Sequence, residues 1–218
     1  MATSAESEQG LGRGAAKALA TRAAILEVAA ELFAERGYVE SSVRDIARRG
    51  EVSSGAIYGH FRSKADLLAE AISMRTADEL EAPSTDSAGE GDYVETLTRL
   101  GREFAKRRRL RALIVQGAAA AQTDDETRTR LRGEQAAHIE AWLEGYERDR
   151  DRMGIHPSVD MQAALLYTWA AELGLGVLES FGIEPASAEG WAEVQNRLAR
   201  SLKLAPDDQP PTDPTARA

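Results

Sequence analysis

The 218-residue chain has no cysteine. That absence excludes a disulfide framework, a thiolate metal site and a cysteine nucleophile, and it suits a reducing compartment. Histidine is scarce too, with three copies. His60 has no second His, Asp or Cys at a spacing that would make a metal site or a general acid–base pair. No cofactor, no metal and no enzymatic activity are expected. Long apolar runs are missing as well. The most apolar stretch, 163–178, carries Glu172 and falls short of the roughly 18 uninterrupted apolar residues of a bilayer span. The first ten residues have neither a basic nor an apolar segment, so no signal peptide is expected. These absences place the chain in the cytoplasm, away from membranes. Segments alternating apolar and polar residues with period two are also absent, which leaves an all-α protein. Gly10–Gly14 and Gly174–Gly176 contain G-x-G, but no strand precedes either, so neither is a dinucleotide loop. Positive charge is in deficit. Lys and Arg total 27 against 36 Asp and Glu, a net charge of −9, which over the whole chain argues against a nucleic-acid partner.

What is present is helical spacing. Residues 1–16, rich in Ser, Glu and Gly, read as a disordered N-terminal arm. Residues 205–218 hold four of the seven prolines and read as a disordered, Pro-rich tail. Between them the breaks at Pro83, Pro157 and Pro185 divide the chain into helical segments. A first helix over 21–36 buries Ile25, Val28, Ala29, Leu32 and Phe33, and Gly37 stops it. Ser42-Val-Arg-Asp45 has the form of a capping box and opens a short second helix. A turn at 50–52 leads to a short third helix from Ser53 or Ser54. Ser63-Lys-Ala-Asp66 repeats the capping-box form ahead of a fourth. Helices near 92–106, 109–122, 124–152, 159–181 and 188–204 follow. The expected fold is an N-terminal three-helix unit over 17–63 followed by a C-terminal helical domain over 64–204, about nine helices in all.

Two short helices joined by a tight turn describe a helix-turn-helix. A B-DNA major groove, about 12 Å wide, accepts one α-helix. The outward positions of the third helix are Ser53, Ser54, Gly55, Tyr58, Gly59 and His60. A surface with no long charged side chain suits being covered. Charge by region agrees. Residues 13–64 hold nine basic and six acidic residues, giving +3, whereas 65–218 hold 18 basic and 28 acidic, giving −10. The acidity belongs to the body, and the obstacle that net charge set against DNA binding disappears.

Here the sequence resembles a family. Thr21-Arg-Ala-Ala-Ile-Leu26 through Leu32-Phe-Ala-Glu-Arg-Gly-Tyr38, then Ser42-Val-Arg-Asp-Ile-Ala47, then Val52 to Lys64 and Leu67-Leu68, are similar to the N-terminal domain of TetR/AcrR-type transcriptional regulators. About fifty contiguous residues keep its order and spacing. Ser54 departs from the Lys of many members. The resemblance implies DNA contacts from Ser42, Arg44, Ser53, Ser54, Gly55, Ala56, Tyr58, Gly59, His60 and Lys64. Of these, Tyr58, His60 and Lys64 would clamp phosphates. Lys64 sits in the first turn of a helix, where its charge opposes the dipole, which favours a contact role.

The resemblance further implies a homodimer on a palindromic double-stranded DNA operator, released by a small-molecule effector. Interface candidates are Leu166, Leu173, Val177, Phe181, Trp191, Val194, Leu198 and Leu202 in the last two helices. Pocket candidates are Phe104, Trp142, Tyr146, Met153, Tyr167 and Trp169. Glu172 is expected at a dimer interface or in solvent, or else facing a cationic ligand. Lys106-Arg-Arg-Arg-Leu-Arg111 leaves open a solvated helix junction, a positive field near the reading head, or pairing with Glu27, Glu31 and Glu35. The expected function is a ligand-responsive repressor. An activator or effector-independent regulator of the same fold is the alternative, and an enzyme using the helical domain is a remote one.

Overall fold

A computed structural model describes residues 3–79 and 93–203, with side chains described from Gly14 onward. The linker at Pro83–Gly91 and the Pro-rich tail lie outside the described residues. Among the described residues there are nine α-helices and one 3-10 turn, and no strand. The helices are α1 (Thr3–Arg36), α2 (Val43–Arg49), α3 (Ser54–His60), α4 (Lys64–Glu79), α5 (Tyr93–Arg102), α6 (Arg108–Ala121), α7 (Asp125–Asp149), α8 (Met161–Ser180) and α9 (Ala188–Ser201). The 3-10 turn is Phe104–Arg107. The all-α architecture is the expected one.

The chain forms two compact units, one of 1–79 with 109–136 and one of 80–108 with 137–218. In the first, Ile25, Ala29, Leu32 and Phe33 of α1 share a core with Ile46, Ile57 and Phe61. Packing continues beyond residue 63, where the sequence suggests a boundary. Leu67, Leu68, Ala71 and Ile72 of α4 and Leu113 of α6 belong to the same core. The long α1 and the two short helices α2 and α3 leave apolar surface that α4 and α6 cover.

Local chemistry sets the helix ends. Gly37 takes φ +88° and donates its N–H to the Phe33 carbonyl at 2.9 Å, the left-handed stop that glycine favours. Ser42 forms the expected capping box, accepting from the Asp45 N–H while Asp45 accepts from the Ser42 N–H. The second box is only half made. Ser63 accepts from the Asp66 N–H at 3.1 Å, but the Asp66 carboxylate takes the Arg62 N–H. The N-terminus departs from expectation, because α1 extends back to Thr3 instead of opening near Thr21. Ala15, Ala16, Ala18 and Ala20 favour helix and no proline interrupts them. Thr21 bonds back to the Lys17 carbonyl within the helix and does not cap it.

In the second unit, α5 packs on α9 at close range. A Cβ on Gly101, in the last turn of α5, would lie 2.8 Å from the Ala192 Cα, so a glycine is required there despite its cost in propensity. Tyr93, Val94, Leu97, Trp142, Tyr146, Met153, Ile155 and Met161 form the core. Arg150 pins the turn between α7 and α8, donating to the Val159 and His156 carbonyls and pairing with Glu147. Asp160 caps α8. Among the described residues α8 alone is long and apolar enough, by length and composition, to cross a bilayer, but Glu172 interrupts its apolar run as the sequence suggests. Its one central charge, Glu172, is paired with Arg107.

Candidate nucleic-acid interface and ligand cavity

The α2–turn–α3 segment presents the expected surface. Val43, Ile46, Ala47 and Ile57 are buried, which turns the remaining positions outward at helical spacing. Arg44, Ser53, Gly55, Tyr58 and Gly59 are exposed, and Ser54, Ala56 and His60 are half-buried. The Tyr58 ring is 57% exposed. Ser53 caps α3, accepting from the Ala56 N–H at 3.0 Å. A Cβ on Gly59 would meet nothing within 4 Å, and one on Gly55 only the Ser53 hydroxyl at 3.8 Å. Internal packing therefore does not require either glycine.

Charges on α2 are sorted by their partners. Arg48 pairs with Asp45 at 3.1 Å. Arg49 bridges Glu31 and Glu35 at 3.0 and 2.6 Å, and its hydrogen bond holds the Glu35 carboxyl below the usual range. Arg44 is exposed and has no ion pair among the described residues. The Ser42 hydroxyl, and next its N–H, lower the Asp45 pKa. Ser42 is thus committed to its cap while its exposed face remains outward.

Lys64 is placed differently from a free phosphate clamp. Its Nζ lies 4.1 Å from the centre of the Tyr38 ring and 3.5 Å from the Val39 carbonyl. Removal from water lowers its pKa, with Glu40 opposing. Tyr38 carries no assigned role in the sequence; an aromatic directly after the helix-stop glycine was the available signal.

The basic cluster at 106–111 divides: Lys106, Arg108 and Arg109 are exposed, as a solvated junction would be, with Arg109 helping to hold the Glu35 carboxyl low, whereas Arg107 and Arg111 are buried. Lys106 pairs with Glu103. Arg107 is 2% exposed, pairs with Glu172 and donates to the Leu100 carbonyl at 2.7 Å. Arg111 is buried as well, whereas Arg108 and Arg109 are exposed. Glu27 instead pairs with Arg75. Glu172, expected at an interface or in solvent, is largely withdrawn from water by this pairing.

Within the second unit, a cavity of about 70 Å³ is lined by Trp142, Tyr146 and Trp169 of the expected set, together with Tyr93, Leu97, Leu100, Leu165 and Glu172. The Trp142 and Trp169 rings lie 5.1 Å apart at 53°, and Tyr93 meets Tyr146 edge-on at 5.9 Å. Burial pushes both phenols up in pKa, so they are neutral hydrogen-bonding groups. Tyr167 lines a separate groove of about 340 Å³ that shares Tyr93, Leu97, Thr168 and Gln195 with the cavity. Phe104 and Met153 line neither. Phe104 packs on Trp191 at 5.8 Å, and Met153 is 1% exposed in the core. Spacing alone does not separate a buried aromatic from one beside a void. Of the interface candidates, Leu166, Val177, Phe181, Val194 and Leu198 are exposed, and Leu173, Trp191 and Leu202 are partly buried.

The family match runs from within α1 to within α4 and includes the α2–turn–α3 segment. Residues 25–71 match the family described as bacterial regulatory proteins, tetR family. Over this stretch the chain is a TetR-type helix-turn-helix segment. Over 90 residues the chain is 34% identical to the A-factor receptor protein of Streptomyces griseus, covering 41% of this chain and 30% of that protein. Over 46 residues it is 50% identical to the HTH-type transcriptional repressor Rv3405c of Mycobacterium tuberculosis, covering 21% and 24%. The aligned part thus spans less than a third of either relative. Beyond it the likeness is one of fold. A TetR-family structure from Rhodococcus sp. superposes with TM-score 0.71 at 21% identity, over 84% of this chain and 98% of that one.

Proposed function

We propose that this chain is a sequence-specific DNA-binding transcriptional regulator of the TetR type, a cytoplasmic homodimeric repressor that a small molecule releases from a palindromic operator. The observation that carries the reading is α3. Its outward face holds an exposed tyrosine between two glycines that packing does not require, flanked by the uncommitted Arg44. Such a face admits close approach of a duplex, with Arg44 suited to a guanine edge and Ser42, Tyr58, His60 and Lys64 to phosphates. The relative named a repressor and the one named a receptor support repression and effector response.

One helix-turn-helix reads a half-site, so a two-fold dimer matches a palindrome. The exposed Leu166, Val177, Phe181, Val194 and Leu198 supply an apolar face for a second copy. The aromatic cavity is the effector site in this reading. Rings on several sides and the charges committed to pairs, Glu172 with Arg107 and Arg99 with Glu103, suit a flat, largely apolar molecule. Gel-shift and footprinting on DNA flanking the gene, repeated with candidate effectors, test the whole reading. A protected palindrome that is lost on adding one compound is expected, and no protected site contradicts it.

A further inference from the structure

Lys64 belongs to the proposed DNA-contact set, yet its position is set by another residue. Its ammonium rests over the face of the Tyr38 ring at 4.1 Å and near the Val39 carbonyl at 3.5 Å. The first turn of a helix repels a cation, and the negative face of the ring offsets that repulsion. Tyr38 in turn is held on two further sides. Its ring packs on Phe33, with centroids 5.5 Å apart. Its hydroxyl lies 3.3 Å from the Thr127 Oγ1. Thr127 is itself fixed by Asp124, whose carboxylate accepts from both its N–H and its hydroxyl at the start of α7. A second link runs alongside, from Arg130 of α7 to Asp66 of α4 at 3.5 Å.

We propose that Tyr38 is a positioning residue for DNA binding, holding the Lys64 ammonium at the DNA-facing side while its hydroxyl ties that placement to the first turn of α7. Tyr38 need not touch DNA. It acts through Lys64, and the cap of α7 acts through Tyr38. The inference rests on the DNA-binding reading and adds to it a route by which α7 governs one phosphate contact.

The test is the salt dependence of binding of the full chain to a short mixed-sequence DNA duplex, which needs no knowledge of the operator. Loss of one phosphate contact lowers the slope of log K against log salt by about 0.9. Lys64→Ala is expected to lower the slope by that amount. Tyr38→Leu is expected to lower it equally, and the double variant no further. A merely structural role for Tyr38 would weaken binding without changing the slope. Thr127→Val is isosteric and keeps the backbone cap. It should weaken binding in the parent and have no effect in the Lys64→Ala background.

A folded Tyr38→Leu with the parental slope overturns the proposal. If Tyr38→Leu does not fold, the Thr127→Val pair decides, and equal effects in both backgrounds overturn it. An unchanged slope in Lys64→Ala removes Lys64 from the contact set and the proposal with it. If the parent shows no salt-dependent binding at all, the DNA-binding reading has failed as well.

Discussion

Arg107 directs both Nε and Nη2 at one carboxylate oxygen of Glu172, joining the 3-10 turn before α6 to the middle of α8. The arginine is 2% exposed, and its Nη1 has no hydrogen-bond partner among the described residues. Both charges have lost most of their hydration, so the pair is close to neutral as a unit and costly to break. Glu172→Ala should destabilise the fold by about 3–5 kcal/mol, because it leaves the arginine buried and unpaired. Replacing both residues, as Arg107→Met with Glu172→Leu, should recover most of that loss. Urea denaturation of the two variants checks the comparison. A single variant as stable as the parent would contradict a buried, committed pair.

The capping box of α2 gives a second prediction. Ser42→Ala should cost about 1 kcal/mol, the usual range for a lost N-cap. Asp45 contributes through its charged form. Its pKa is lowered in the folded chain, first by the Ser42 hydroxyl, so its contribution is present above the ordinary Asp range and is lost as pH falls through the folded value. Asp45→Asn should therefore flatten the acid limb of the stability–pH curve, measured by thermal melts from neutral pH downward, and should leave the alkaline side unchanged.

Gly101 separates propensity from packing. By propensity alone, Gly101→Ala in the last turn of α5 should stabilise, by at most the roughly 1 kcal/mol of a helix interior. The Cβ would sit 2.8 Å from the Ala192 Cα and 3.3 Å from its N, and backbone cannot move aside as a flexible side chain can. Overpacking of this kind costs about 1–3 kcal/mol. A lowered melting temperature is expected, and a raised one would show that α5 and α9 can separate without loss.

These three cases mark what was legible in the sequence. Signals confined to a few residues were readable: Gly37 as a stop, Ser42 and Asp45 as a box, Ser53 ahead of α3. The outward positions of α3 were readable because apolar residues at helical spacing fix the opposite face, whereas a role for them in DNA contact came from the family resemblance. Signals that depend on distant partners were not. Arg107 sits in a run of basic residues that reads as solvated surface, and only its meeting with Glu172, 65 positions away, buries it. Met153 and Trp142 look alike in pattern, but one fills core and the other borders a void. The sequence shows Lys64 to be misplaced for its helix dipole, but the Tyr38 ring that accommodates it lies 26 positions away and is set by the tertiary fold.

The exposed apolar residues of α8 and α9 predict self-association. Val194→Glu together with Phe181→Glu should place charges on the face proposed to meet a second copy, where they cannot be desolvated without loss. Sedimentation velocity should show a dimer for the parent and a monomer for the double variant, with unchanged helical content. A dimer in both would direct attention to another surface.

The most direct test of the central claim is quantitative gel-shift on a footprinted operator with Arg44→Ala and Tyr58→Ala. Both side chains are exposed, so folding and self-association should be retained. Arg44→Ala should cost about 1–3 kcal/mol and relax preference at one base pair, whereas Tyr58→Ala should weaken binding to all sequences alike. Parental affinity and parental sequence preference in both variants would contradict the assignment of α2 and α3 as the reading head.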